Sequence, residues 1–262
     1  MNAHSTKNYQ LGRGVVYFNP LDPSTGIAKG EVDLGNAPAF SLNTEIEELE
    51  HFSSRAGLRV VDKKVTLSLK LIGSFTLDEI NVRNLAFAFL GDEATTVQGS
   101  GSATDEPLTV DLTDAWYKLE YRNIDPDSES VEPDGGGAPY VKGTDYEMDY
   151  TTGRILILAS GNISSTDELD IDYDYQAITG METVQLAKNT KVEGLLRFIG
   201  NPATGVTFEG VWWKVTLSLA GEVGFITEAD WATMEYEFEV QSDTENHPNS
   251  PLGEIYKIAE GT

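Results

Sequence analysis

Apolar and polar residues alternate along much of this chain. Val65-Thr-Leu-Ser-Leu-Lys-Leu71, Val215-Thr-Leu-Ser-Leu219, Tyr236-Glu-Phe-Glu-Val240 and Leu169-Asp-Ile-Asp-Tyr-Asp-Tyr175 all keep a period of two. Successive strand side chains point to opposite faces, so these runs predict strands with one buried and one wetted face. Tyr150-Thr-Thr-Gly-Arg154 separates two apolar runs and reads as a hairpin turn. Gly12-Arg-Gly14 reads as a turn before a strand at Val15–Phe18. Helical spacing is concentrated in one place. Thr76 and Glu79 stand as a capping box ahead of Ile80, Val82, Leu85, Ala86, Phe89 and Leu90, and Gly91 follows as a C-cap. This predicts a helix over about 77–90. A short helical turn is expected at Thr227, with Asp230 three residues on. The pattern as a whole predicts a mainly β protein, a β-sandwich or barrel with one flanking helix.

One string occurs twice. Lys64-Val-Thr-Leu-Ser-Leu69 returns as Lys214-Val-Thr-Leu-Ser-Leu219, and each copy is followed by Gly, an aromatic and Thr. The expectation is two core strands in similar positions.

Charge divides the chain further. Its 262 residues carry 18 Lys and Arg against 43 Asp and Glu, a net charge of -25. Residues 106–182 hold 4 basic and 18 acidic residues, more than half of the excess. They are expected to form an inserted acidic β module within a discontinuous core of residues 1–105 and 183–262. Within that module Asp125–Gly137, rich in Pro, Gly and acid, reads as a solvated loop. So negative a chain lacks the cations that grip phosphate or an anionic membrane surface. At 40% hydrophobic residues it can still bury a core. Its cysteine count is zero, which excludes disulfides, zinc–thiolate sites and a cysteine nucleophile. No apolar run is long enough to span a bilayer, and Met1-Asn-Ala-His-Ser-Thr6 has no apolar leader, so synthesis and folding are expected in a cytoplasm.

Motifs for catalysis are scarce. His4, His51 and His247 have neither metal-site spacing nor a nucleophile to activate. No phosphate-binding or nucleophile-elbow motif is present. Asp125, Asp127 and Glu129 alternate like calcium ligands, but Ser130 and Gly136 stand where an EF-hand needs Gly and Glu. Asp170, Asp172 and Asp174 read as a strand face. No cofactor, metal or catalytic residue is assigned, and the expectation is a non-enzyme.

The segment from Gly35 to Asp62 carries most information. Its first arm is acidic, with Glu45, Glu47, Glu48 and Glu50, and its second is basic, with Arg55, Arg59, Lys63 and Lys64. Leu49, His51, Phe52 and Leu58 lie between or beside them. Two compatible readings follow. The charges pair across a hairpin, or the segment projects as an arm whose apolar residues dock on another copy.

In this order the elements resemble the major tail tube proteins of long-tailed, siphovirus-type bacteriophages. The resemblance rests on Gly35-Asn-Ala-Pro-Ala-Phe40, the long loop Leu49–Lys64, the alternating Val65–Leu71 and the amphipathic stretch Thr76–Leu90. Trp116–Ile124, Tyr140–Ile155 and Leu169–Tyr175 are similar to a β module often inserted in phage tail proteins. The resemblance implies a subunit of hexameric rings that stack into a hollow tube in the virion tail. The expected partners are further copies of the chain, a tape-measure protein and tail-tip or terminator proteins, with DNA passing through unbound. The inter-ring contact is then expected at Glu45, Glu47, Leu49, His51, Phe52, Arg55, Leu58 and Arg59. Glu235, Glu237 and Glu239 are the lumen-facing candidates. The alternative is a surface adhesin or carbohydrate-binding module presenting Trp116, Trp212 and Trp213. A carbohydrate-active β enzyme would need a cleft with paired carboxylates.

Overall fold

The computed structural model describes residues 9–55 and 57–258, so His4 lies outside the described residues. Strands take 51% of the chain and helix only 3%, which makes the fold mainly β. The chain divides into two compact units, one formed by the stretch up to Glu93 and again from Val184, the other by Ala94–Thr183. In chain order come β1 (Gly14–Pro20), β2 (Val32–Asp33), β3 (Ala39–Ser53), β4 (Val60–Leu77), α1 (Val82–Ala88) and β5 (Asp92–Gln98), which crosses the division. Next come β6 (Gly101–Thr109), β7 (Ala115–Lys118), β8 (Ser130–Pro133), β9 (Tyr146–Asp149), β10 (Arg154–Ile157) and β11 (Glu168–Tyr175). β12 (Ile178–Gln185) crosses back, and β13 (Val192–Gly200), β14 (Phe208–Leu219), β15 (Met234–Val240) and β16 (Glu254–Lys257) complete the first unit. The division falls before the expected 105/106 boundary because β6 runs across that position and pairs with β11.

The first unit is built on one eight-stranded antiparallel sheet in the order β2-β1-β13-β14-β15-β4-β3, with β16 also paired to β14. The sheet does not close, so the barrel alternative is corrected to an open sheet. It curls instead. Phe40 on the edge strand β3 stacks on Phe198 of β13 at 5.0 Å and lies 5.5 Å from Trp212 of β14. The same ring stacks on Phe75 and Phe238. Edge and centre of the sheet thus share one aromatic core. Gly73 makes room for it. A Cβ there would lie 2.5 Å from the Ser41 carbonyl oxygen and 2.7 Å from Cε1 of Phe238.

The helix is shorter than the expected 77–90. Thr76 and Leu77 belong to β4, paired with Glu235 and Met234. Pairing to the sheet overrides the capping box. The cap is Asn81, whose side chain accepts the Asn84 N–H at 2.8 Å. Glu79 instead accepts the Asn36 N–H at 3.1 Å. At the other end Leu90, not Gly91, takes the left-handed conformation (φ 52°), and the Gly91 N–H reaches the Ala86 carbonyl at 2.7 Å. The helix is fastened through buried Asn84. Its amide donates to Leu34 and Glu79 carbonyls, and its own carbonyl accepts the Tyr236 hydroxyl at 2.6 Å. Phe87 meets Phe18 edge-on at 5.3 Å. No helical turn forms at Thr227 to Asp230, which lie in an exposed loop.

The second unit holds 4 basic and 19 acidic residues around its own core. Two three-stranded sheets, β7-β10-β9 and β6-β11-β8, bury Ile155, Ile157, Leu169, Ile171 and Tyr173. The expected loop Asp125–Gly137 contains β8, because Val131 sits fully buried opposite Ile171. Asp145 is 2% exposed and fully used. It accepts the Val141 N–H at 2.8 Å, and the Asn162 N–H and side-chain amide at 2.7 and 2.8 Å.

Two predictions follow from this packing. Gly73→Val forces a branched side chain against backbone and Phe238, and is expected to destabilise the first unit by about 1–3 kcal/mol in denaturant titration. Asp145→Ala strands three donors and is expected to cost the second unit about 1–3 kcal/mol at pH 7. Hydrogen bonds from Val141, then Asn162, hold the Asp145 carboxyl below its ordinary 3.8. A lowered folded value stabilises above the unfolded one and is lost as pH falls below it. The gap between wild type and Asp145→Ala should therefore shrink below about pH 4, read from thermal midpoints across pH 2–7.

Candidate functional site

The expected loop between β3 and β4 is a paired ribbon. Cross-strand partners run without a break in the ladder from Ala39 opposite Thr76 to Ser53 opposite Val60, with irregularities after Glu47 and His51. The strands have 15 and 18 residues, long against the usual five or six. Their inner ends lie in the sheet. Beyond Leu71 the ribbon leaves β15 behind, since β15 pairs β4 only over Leu71–Leu77. The outer part stands alone as an arm.

Cross-strand partners share a face. Ile46 pairs Leu69 on one face and Leu49 pairs Val65 on the other, with Leu67 at the irregularity between them, and all five are exposed. The repeated string measures how unusual this is. In the second copy Val215 and Leu217 are 0% and 1% exposed, on β14 in the core. In the first copy Val65 and Leu67 are 46% and 56% exposed. The two copies are therefore not equivalent core strands. The Val and first Leu that β14 buries are left uncovered in the arm's copy of the hexapeptide.

The opposite-signed charges do pair within the hairpin. Lys64 bonds Glu50 at 2.6 Å and reaches Glu48 at 3.4 Å, and these carboxylates, Glu50 first, raise its pKa. Such exposed pairs set register more than they stabilise. His51 bonds Asp62 at 2.5 Å, and the Arg59 guanidinium lies over the Phe52 ring at 4.9 Å. Glu45 and Glu47 face other neighbours. Glu45 stands opposite Lys70, and Glu47 accepts from Ser68 at 3.1 Å. Arg55 and Leu58 are exposed at the tip, Leu58 at 76%.

A second surface lies on the sheet. β15 alternates strictly, burying Tyr236 and Phe238 and exposing Glu235, Glu237 and Glu239. Register places these carboxylates among small polar side chains. Glu237 lies between Ser218 and Ser74, Glu239 between Thr216 and Ile72, and Glu235 beside Thr76. Ser41, Asn43 and Glu45 of β3 continue the same depression. Sequence reading selected the glutamates and missed this hydroxyl and amide lining, although its signal is the polar half of each alternating strand. The face holds few cations. Lys70 reaches Glu239 at 4.0 Å, while Arg197 elsewhere is clamped by Glu31 and Glu209.

The tryptophans expected on the surface separate. Trp212 is buried in the core at 3%. Trp213 stacks flat on His247 at 3.9 Å and donates to the Ser250 carbonyl. Trp116 is 45% exposed beneath the Arg154 guanidinium. Among the described residues no group of three His, Asp or Glu is placed to hold a metal ion. Among them too, no helix is long and apolar enough to cross a membrane.

Exposed side chains away from caps and cores contribute little to stability. The triple variant Glu235→Gln, Glu237→Gln, Glu239→Gln is accordingly expected to unfold within about 4 °C of wild type in calorimetry. A larger loss would assign these carboxylates to the fold instead of to a surface task.

No curated protein matches the chain. Residues 9–259 match the family described as "Protein of unknown function UCP028589". That match spans nearly the whole sequence, and the chain belongs to this family.

Proposed function

We propose that this chain is a structural subunit that assembles with copies of itself, and that the assembly is the tail tube of a long-tailed bacteriophage. The observation that carries the reading is the uncovered hexapeptide. Ile46, Leu49, Val65, Leu67 and Leu69, spread over the two faces of a preformed ribbon, are exposed apolar surface of the kind that marks an interaction site. A contact between two different surfaces of like subunits generates rings when it closes and filaments when it does not. A tube of stacked hexameric rings needs both, and the arm is the candidate for the contact between rings.

The polar face fits the inside of such a tube. Serine, threonine, asparagine and glutamate offer no array of cations to phosphate. DNA moving past repeated carboxylates is repelled evenly and finds nothing to grip. On this reading the chain performs no catalysis and needs no cofactor. Its further partners are a tape-measure protein and tail-tip or terminator proteins, and its location is the virion tail, after assembly in the host cytoplasm. The adhesin reading loses two of its three tryptophans to packing.

Negative-stain electron microscopy of concentrated protein tests this. Wild type is expected to give rings or hollow tubes. Leu49→Asp with Phe52→Asp is expected to give a folded monomer with the wild-type circular dichroism spectrum. Tubes of normal length from that variant would remove the arm from the contact.

A further inference from the structure

We propose that the tip of the arm docks on the loop after β14, residues 222–231, of a second copy. This rests on the self-assembly reading and names the surface that receives the arm. The loop is anchored at its start and bare beyond it. Val223 packs against the core and Phe225 stacks on Phe89 at 6.5 Å. Ile226 and Trp231 are then 92% and 90% exposed. Two large apolar side chains so open in one short loop leave apolar surface uncovered, separate in sequence from the exposed apolar residues of the arm.

Charge selects the pairing. The loop carries Glu222, Glu228 and Asp230 and no basic residue between Gly221 and Trp231. Among the described residues none of these carboxylates has a cation within 4 Å in an ion pair. The arm tip has the opposite rim. Leu58 and Val60 are exposed there, and Arg55 and Lys63 have no ion-pair partner among the described residues. One arm tip meeting another would bring these cations together, and loop meeting loop would crowd carboxylates. Arm meeting loop covers exposed apolar residues on both and satisfies both rims. Because the two surfaces differ, each bound copy still offers one of each to the next.

The absence of native cysteine makes the test clean. Leu58→Cys and Ile226→Cys are purified separately, mixed at a concentration where wild type assembles, and oxidised mildly. Disulfide dimers of mixed composition, in excess of those each variant forms alone, are expected. As a second arm, Arg55→Glu with Lys63→Glu should raise the concentration needed for assembly about tenfold. Adding Glu228→Lys and Asp230→Lys to the same chain should restore it, with circular dichroism confirming the fold throughout. If wild type assembles but mixed dimers and rescue both fail, the arm docks elsewhere and self-assembly stands. A wild type that stays monomeric at every concentration overturns both readings.

Discussion

β3 and β4 are hydrogen-bonded to each other from Ala39 opposite Thr76 out to Ser53 opposite Val60. The inner half of that ladder is held by the aromatic core, where Phe40 and Phe75 stack with Phe238 and Gly73 gives them room. Among the described residues the outer half has no third strand beside it. Backbone hydrogen bonds give it shape, but its apolar side chains stay exposed. An exposed two-stranded ribbon is marginal on its own, and this one is continuous with strands that are not. The rigid base is what allows the arm to present Ile46, Leu49 and Val65 in fixed order. Loss of core packing at Gly73 would therefore disturb the arm without touching it.

The charge of -25 has different tasks in different places. Nineteen acidic residues belong to the second unit, where several close turns or cap backbone, Asp145 most completely. The first unit uses many of its carboxylates to hold cations, as Lys64 and Arg197 show. Two further groups stand out. Glu235 and Glu237 line one polar face beside Glu239, which Lys70 reaches, and Glu222, Glu228 and Asp230 rim one apolar loop. These two groups are the ones with a proposed function.

Strands were legible in the sequence wherever one face is buried, because burial imposes the period of two. Leu169–Tyr175 and Tyr236–Val240 lie within β11 and β15. Signals that depend on partners were not legible. Thr76 and Glu79 have the spacing of a helix cap, but pairing with β15 carries Thr76 into a strand. β8 hides in an acidic stretch, since Val131 is the only residue of its four that is fully buried. The repeated hexapeptide is the sharpest case. Its Val and first Leu are buried on β14 and exposed on β4, and no local pattern could distinguish the two copies. Charge and composition mark the arm residues, whereas the loop with Ile226 and Trp231 carries only the spacing of a helical turn. Its exposure is a property of the fold alone.

In the proposed assembly the arm is covered by another copy of the chain. Hydrogen–deuterium exchange of wild-type protein, dilute and concentrated, measures this directly. Peptides spanning 44–70 are expected to slow markedly on concentration, while those of β14 and β15 keep the protection they have as monomer. Exchange of 44–70 that is the same at every concentration would contradict the account.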